Sequence, residues 1–445
     1  MTAQPLVNDR REILGWTMYD WANSAFSTTV VTTFLGPYLL ALAQANAAAD
    51  GLYYVAGYGI EPAAIFPFCV SLSVILQVFF LPILGTIADY THLKKPMMMG
   101  FAYTGAAATL LLFFIQGNLV LLGGLLFIIA NLSFGAAIVF YNAFLPDISS
   151  PDQRDTVSSR GFAFGYLGGG LLLLLNLILV QTMPDNAGLA VRLSLASAGI
   201  WWLGFTVIFP QRRLKARAPV RQLPEGENVI THGIRQIART ARDMLRKYPS
   251  TAQYLLAYLI YNDGIQTVIS VSTSFAADEI EGVDTTVLVL LVLMIQFVAF
   301  GGALAFGYLA KRIGAKRSIM ISLVIWSGLV IFAYGFLYEL WQLWFLGFFL
   351  ALVLGGSQAL SRSLFSQMIP TNHEAEYFGF YEVSERGTSW IGPLVFAAAV
   401  QMTGQQRIAI VSLIIFFLVG LFLLSRVNVK RAIVDAGHDP SGVVL

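Results

Sequence analysis

The sequence predicts an all-α membrane protein, with twelve transmembrane helices in two six-helix, pseudo-symmetric bundles. Three observations carry that prediction. Hydrophobic residues fill 57% of the 445 positions and charged residues only 12%, whereas a soluble domain carries about 25% charge and needs it to cover its surface. The apolar excess runs the whole length of the chain in segments of about 20–30 residues, each able to cross a bilayer. The connections between these segments alternate between basic and base-free, as the two sides of a membrane require.

Residues 1–12 are polar and precede a run of span length, so they read as a cytoplasmic N-terminus rather than a cleaved leader. The first bundle, 13–210, holds spans expected at 13–43, 62–88, 97–116, 119–146, 157–183 and 190–210. A basic linker, 211–249, carries ten Lys/Arg against three Asp/Glu up to position 250. Its second part places Ile230, Ile234, Ile237, Ala241, Met244 and Leu245 on one helical face and Arg235, Arg239, Arg242, Arg246 and Lys247 largely on the other. That pattern suits an amphipathic helix on an anionic inner leaflet rather than a nucleic-acid site. The second bundle, 250–426, holds spans expected at 250–277, 285–310, 318–337, 341–369, 377–402 and 406–426, and 427–445 form a cytoplasmic tail. Of the 27 Lys/Arg, 22 fall on one side, and the loops 44–61, 117–118, 184–189, 278–284, 338–340 and 403–405 hold none. Both termini are therefore expected in the cytoplasm.

The two halves repeat. Gly85-x-x-x-Asp89 followed by Lys94-Lys95 recurs as Gly307-x-x-x-Lys311 followed by Lys316-Arg317. Ser158-x-Arg160-Gly161 recurs as Ser384-x-Arg386-Gly387, and Arg192 and Arg407 each open the last span of their half. Three matches in order at similar offsets argue for duplication of a six-helix unit.

The glycine, acid and paired bases after span two resemble the loop motif of the major facilitator superfamily, although His92 or Leu93 stands for its second glycine and Lys311 for the acid of the second copy. Longer strings are similar to the vacuole-effluxer-like family: Tyr19-Asp20-Trp21-Ala22-Asn23-Ser24-Ala25-Phe26, Tyr141-Asn142-Ala143-Phe144-Leu145-Pro146, Tyr261-Asn262-Asp263-Gly264 and Gly355-Gly356-Ser357-Gln358-Ala359-Leu360-Ser361-Arg362-Ser363. That family includes autophagy-related vacuolar amino-acid effluxers and bacterial relatives. The resemblance runs from about residue 12 to 426 and implies the major facilitator fold, a transporter, and here a bacterial cytoplasmic membrane.

Ionisable and polar groups within spans are costly and mark candidate sites. On span one, Asp20, Asn23, Ser24 and Ser27 share a helical face; span seven offers Asn262, Asp263, Gln266, Thr267 and Ser270, and span ten Ser357, Gln358, Ser361 and Arg362. Span four offers Asn131, Tyr141 and Asn142. The resemblance implies that spans one, four, seven and ten line a central cavity, so Asp20, Asn23, Ser24, Asn142, Asn262, Asp263, Gln266, Gln358, Ser361 and Arg362 are the substrate-binding candidates. Polar packing between helices is the competing account. Arg362 is either a partner for a cargo carboxylate or a bridge to Asp20 or Glu382. Asp20, Asp263 and Glu382 are the proton-coupling candidates, being carboxylates able to take up and release a proton inside the membrane. Thr371-x-x-Glu374 reads as a capping box for span eleven. Gly85, Asp89, Lys94, Lys95, Arg160 and Arg386 are gate candidates, with Asp89 suited to cap span eleven in the way the superfamily implies.

The single Cys69 and four scattered His exclude a cysteine or zinc cluster, and neither metal nor cofactor is expected. No Walker, G-x-S-x-G or H-E-x-x-H string is present, so an enzyme is not expected and an ion gradient must drive any work. The expected function is secondary active transport of a small polar or zwitterionic, amino-acid-like solute by alternating access, coupled to H⁺, in a monomer surrounded by membrane lipids. Export of amphiphilic compounds or lipids is the alternative, followed by a receptor that has lost transport.

Overall fold

The computed structural model describes residues 7–217, 229–386 and 391–444. Its helices are α1 (Arg10–Ala45), α2 (Pro62–Asp89), α3 (Lys94–Phe114), α4 (Val120–Ile148), α5 (Arg154–Thr182) and α6 (Pro184–Arg213) in the first half. After α7 (Val229–Lys247) come α8 (Pro249–Glu279), α9 (Thr285–Ile313), α10 (Ala315–Gly335), α11 (Leu340–Gln367), α12 (Glu374–Arg386), α13 (Ile391–Thr403), α14 (Gln406–Arg426) and α15 (Val429–Asp435). Among the described residues, ten helices are long and apolar enough to cross a membrane. The other two expected spans are α8, which is long but more polar, and the pair α12 and α13, which flank 387–390 outside the described residues together with Gly387 of the repeat.

Local chemistry sets the helix ends. Asp9 caps α1 by accepting from the Arg11 amide, and the Lys215 ammonium at 2.6 Å holds the Asp9 carboxyl below the usual range. Asp284 caps α9 in the same manner, Glu339 and Gln342 form a capping box at α11, and Gly314 at φ 88° turns α9 into α10. Within α1, Phe26–Phe34 winds as a π-helix, and the Thr32 and Thr33 hydroxyls donate to the carbonyls five residues back. The loop after α1 contains a hairpin, β1 (Tyr53–Val55) and β2 (Tyr58–Ile60), whose turn uses the positive φ of Ala56 and Gly57.

The halves repeat in their contacts. Lys95 donates to the carbonyls of Gln211 and Leu214 at the end of α6, and Lys316 does the same to Ser425 and Val427 at the end of α14. Arg192 reaches the Phe113 carbonyl and lies over the Phe113 ring, as Arg407 reaches the Leu337 carbonyl and lies over Tyr338. Lys95 thus closes its own half, where the sequence reading expected a gate residue.

Between the halves, α2 packs on α12, and α5 packs on α9 and α11. Gly85 makes the first contact possible: a Cβ there would fall 2.2 Å from the Ala375 carbonyl oxygen. One turn on, Asp89 caps α12, accepting from the amides of Ala375 and Glu376 at 3.1 and 2.8 Å. The expected Thr371–Glu374 capping box does not form; Glu374 instead accepts from the Asn372 amide. Lys94 pairs with Asp147 at 3.1 Å within its own half. Arg160, expected at the gate, is exposed on α5. Its place is taken by the buried Arg154, which donates to the Ser366 carbonyl and the Gln367 side chain of α11, while Gln367 donates to the Pro151 carbonyl and Ser363 to Asp155. Together with Asp89, these contacts close the end of the bundle that carries the basic connections.

The linker also departs from expectation. Ile230 and Ile234 lie outside the residues whose side chains are described. The buried stripe of α7 is Gln236, Thr240 and Met244, packed on α2 and α8 with Thr240 donating to Glu376, while Leu245 is exposed. The five bases stay on the outer face. This helix therefore rests on the closed seam.

Truncating a buried, fully bonded cation leaves its partners unsatisfied, at a cost of about 1–3 kcal/mol. Arg154→Gln is expected to lower the melting temperature of the purified protein, while Arg160→Gln leaves it within error. Equal melting of the two variants in a thermal-unfolding assay would show that Arg154 does not hold the seam.

Candidate functional site

Above the closed seam, the halves enclose a cavity of about 380 Å³, within the size range of small-molecule sites. Its first wall is α1, drawn against α5 by a glycine stripe. A Cβ on Gly161 would fall 2.8 Å from Asp20 Oδ2, one on Gly165 2.7 Å from Ser24 Oγ, and one on Gly168 2.6 Å from the Trp21 carbonyl. Asp20, Asn23, Ser24 and Ser27 thereby face the cavity on one stripe. Trp16 stacks on Tyr141 of α4 with ring centroids 4.3 Å apart and donates to its carbonyl, and the Tyr141 hydroxyl donates to Asp20 Oδ2 at 2.7 Å.

The cavity floor is a polar network that joins the halves. Arg362 of α11 is 3% exposed and pairs with Asp20 at 3.3 Å. It also donates to the Ser158 hydroxyl and carbonyl, each at 2.9 Å, and to the side-chain oxygen of Asn142 at 3.3 Å. Its guanidinium lies over the rings of Phe162, Trp16 and Tyr141, 4.2–5.3 Å from their centroids. Asn142 passes the network on by donating to Glu382 of α12 at 2.8 Å, and Glu382 in turn takes the Arg386 guanidinium at 3.2 Å. Higher in the cavity, Tyr166 of α5 donates to Gln358 of α11 at 2.6 Å. The arrangement can hold one anionic and one cationic group side by side.

Of the sequence-derived binding candidates, Asp20, Asn23, Ser24, Asn142, Gln266, Gln358 and Arg362 line the cavity. Three do not. Asn262 donates to the Glu385 carbonyl, Ser361 bonds the Ser357 carbonyl and the Tyr261 hydroxyl, and Asp263 is buried beside Gly392 of α13 with no hydrogen bond to its carboxylate among the described residues. Asn131 serves packing, donating to Ser73 of α2. Arg386, expected in the gate, lines the cavity and lies over Phe134 at 5.0 Å.

Sequence reasoning missed Ser158, Tyr166 and Glu385 as site residues, along with the stacked pair Tyr258 and Tyr381, whose rings are 4.4 Å apart. Ser158 was visible only as the opening of a repeated string. The tyrosines carried no signal that separates a cavity wall from core.

The family described as "Vacuole effluxer Atg22 like" matches residues 8–437. The MFS-type transporter YxiO of Bacillus subtilis is 32% identical over 417 residues, covering 93% of this chain and 94% of that protein. Autophagy-related protein 22-1 of Penicillium rubens is 24% identical, covering 96% and 91%. Among solved structures, the E. coli fucose:proton symporter FucP superposes with a TM-score of 0.64 at 14% identity over 94% of this chain and 98% of that one. The human organic anion transporter MFSD10 does so with a TM-score of 0.65 at 16% identity over 93% and 97%. YxiO, FucP and MFSD10 are described as transporters and not as enzymes, and the solved structures share one architecture with this chain, the major facilitator fold. The chain is a multi-pass integral membrane protein and belongs to the vacuole effluxer Atg22-like family of major facilitator transporters.

Proposed function

We propose that this transporter moves a small zwitterionic, amino-acid-like solute by alternating access, with residues 13–210 rocking against 250–426 and H⁺ as the coupling ion. The observation that carries this reading is the charged cavity floor. Arg362 and Asp20 meet across the halves, and Glu382 and Arg386 stand beside them. A cargo carboxylate competes with Asp20 for the guanidinium and a cargo ammonium takes the carboxylate released, so loading loosens the bond between the halves. The resemblance of the sequence to autophagy-related vacuolar amino-acid effluxers implies the same solute class. A cavity walled mainly by aromatic groups would favour an amphiphile, and the charges on this floor weigh against it.

Asp20 and Glu382 are the proposed proton carriers. Both line the cavity, each bonds across the seam or to a neighbour that does, and each can exchange its partner for a proton as the halves part. Asp263 sits behind the cavity wall and is the weaker candidate. The one-sided bases support a cytoplasmic location for both termini and the linker, and on that reading the closed end of the bundle is the cytoplasmic one.

Three outcomes test these readings. Arg362→Lys keeps the charge and loses the bidentate fork, so affinity for a carboxylate ligand should fall about 10–100-fold, with little change for its amide. An equal loss for both ligands, measured on folded, monodisperse protein, leaves Arg362 as a structural bridge. For coupling, Asp20→Asn and Glu382→Gln should abolish accumulation driven by a pH gradient in proteoliposomes while counterflow exchange persists. Accumulation left intact in both variants rules out these carriers. For orientation, in a Cys69→Ser background, an impermeant maleimide on intact cells should label Tyr58→Cys and spare Ser441→Cys, and the reverse pattern inverts the topology.

A further inference from the structure

A second cavity, of about 670 Å³, lies at the basic end and outside the site described above. Its wall gathers Lys316 and Arg317 from the start of α10, Arg426 from the end of α14 and Lys430 from the start of α15. Among the described residues one carboxylate lines it, Asp155, which already accepts from Ser363. Lys316 is committed to the carbonyls of Ser425 and Val427. Arg317, Arg426 and Lys430 are exposed, and none of them pairs with a carboxylate among the described residues. Orientation in the membrane requires bases on this side, but it does not require them to converge on one cavity, where their mutual repulsion is unfavourable. The flank is apolar: Phe422 lies 5.0 Å from the Arg426 guanidinium and is 55% exposed, and Met320 lines the pocket. A cationic recess over an apolar flank at the edge of a helix bundle matches a ligand with a phosphate at one end.

We propose that this pocket binds a phosphate-bearing anion, held by Arg317, Arg426 and Lys430, either as the headgroup of an acidic phospholipid or as a soluble phosphorylated compound. Asp155 and Gln367 in its wall belong to the seam that closes the basic end, so the bound anion sits where the two halves meet. When that end opens, α5 withdraws from α11 and the pocket loses a wall. The site therefore distinguishes the two conformations, and occupancy favours the closed one.

The test uses delipidated, full-length protein and two probes, phosphatidylglycerol and inorganic phosphate, with phosphatidylcholine of equal chain length as reference. Native mass spectrometry and thermal shift report binding. Wild type should take up phosphatidylglycerol or phosphate in preference to phosphatidylcholine. Combined Arg317→Gln, Arg426→Gln and Lys430→Gln should weaken that binding on the order of 100-fold, at roughly a few-fold to tenfold per base. Removing the same charge from α7, by Arg239→Gln, Arg242→Gln and Arg246→Gln, should leave it unchanged. Phosphatidylglycerol that phosphate does not displace identifies a lipid, and phosphate bound as tightly as the lipid identifies a soluble ligand; both outcomes uphold the site. No preference over phosphatidylcholine together with no phosphate binding overturns it, as does equal loss in the α7 variant. Should the triple variant fail to fold, Lys430→Gln alone, at an exposed position, should show a smaller loss, and undiminished binding there overturns the proposal.

Discussion

The structure depends on a buried guanidinium. Removing an arginine from water costs several kcal/mol unless partners replace the lost hydration, and the partners of Arg362 belong to the other half of the chain. Asp20, Asn142 and Ser158 all come from the first half, and so do the three rings beneath the guanidinium. In this structure the charge is therefore satisfied from across the bundle. It binds the halves together in this structure and, under the alternating access proposed above, demands a substitute when they part. A transporter needs such a group, because a contact that must be exchanged makes opening conditional on what occupies the cavity.

The backbone is shaped to permit this bond. Gly161 admits both Asp20 and Arg362, and Gly165 brings Ser24 to the same wall. In the second half, Gly302 lies against the Leu352 carbonyl and Gly355 against that of Ala299, so α9 and α11 approach as closely as α1 and α5 do. Small residues at helix contacts are how membrane bundles gain packing energy without a hydrophobic drive between helices. Here the same residues also set the spacing of the charged floor.

Much of this was legible in the sequence, for identifiable reasons. Long apolar runs and one-sided bases report the membrane directly, because both reflect the solvent and not tertiary detail. Spacing of three and four residues placed Asp20, Asn23 and Ser24 on one face correctly. It could not say which way a stripe turns about its helix axis, so Asp263 and Gln266, close in sequence, face different neighbours. Arg154 was hidden by its surroundings: a base in a charged connection already satisfies the positive-inside rule and gives no sign of reaching α11. Lys95 and Arg160 were overread for the opposite reason, since a repeated motif marks common ancestry as readily as a gate.

The π-helical stretch of α1 accounts for where the polar stripe ends. Each π turn takes in about one residue more than an α turn, so the residues after Phe34 are out of phase with those before Phe26. The face that carries Asp20, Asn23, Ser24 and Ser27 toward the cavity is not the face continued beyond the stretch, where Leu35, Leu39 and Ala43 are fully buried at a spacing of four. One helix thus serves two environments without a break in its chain. Its lower part lines the cavity and its upper part is a packing strut, and nine residues of wider winding provide the rotation between them.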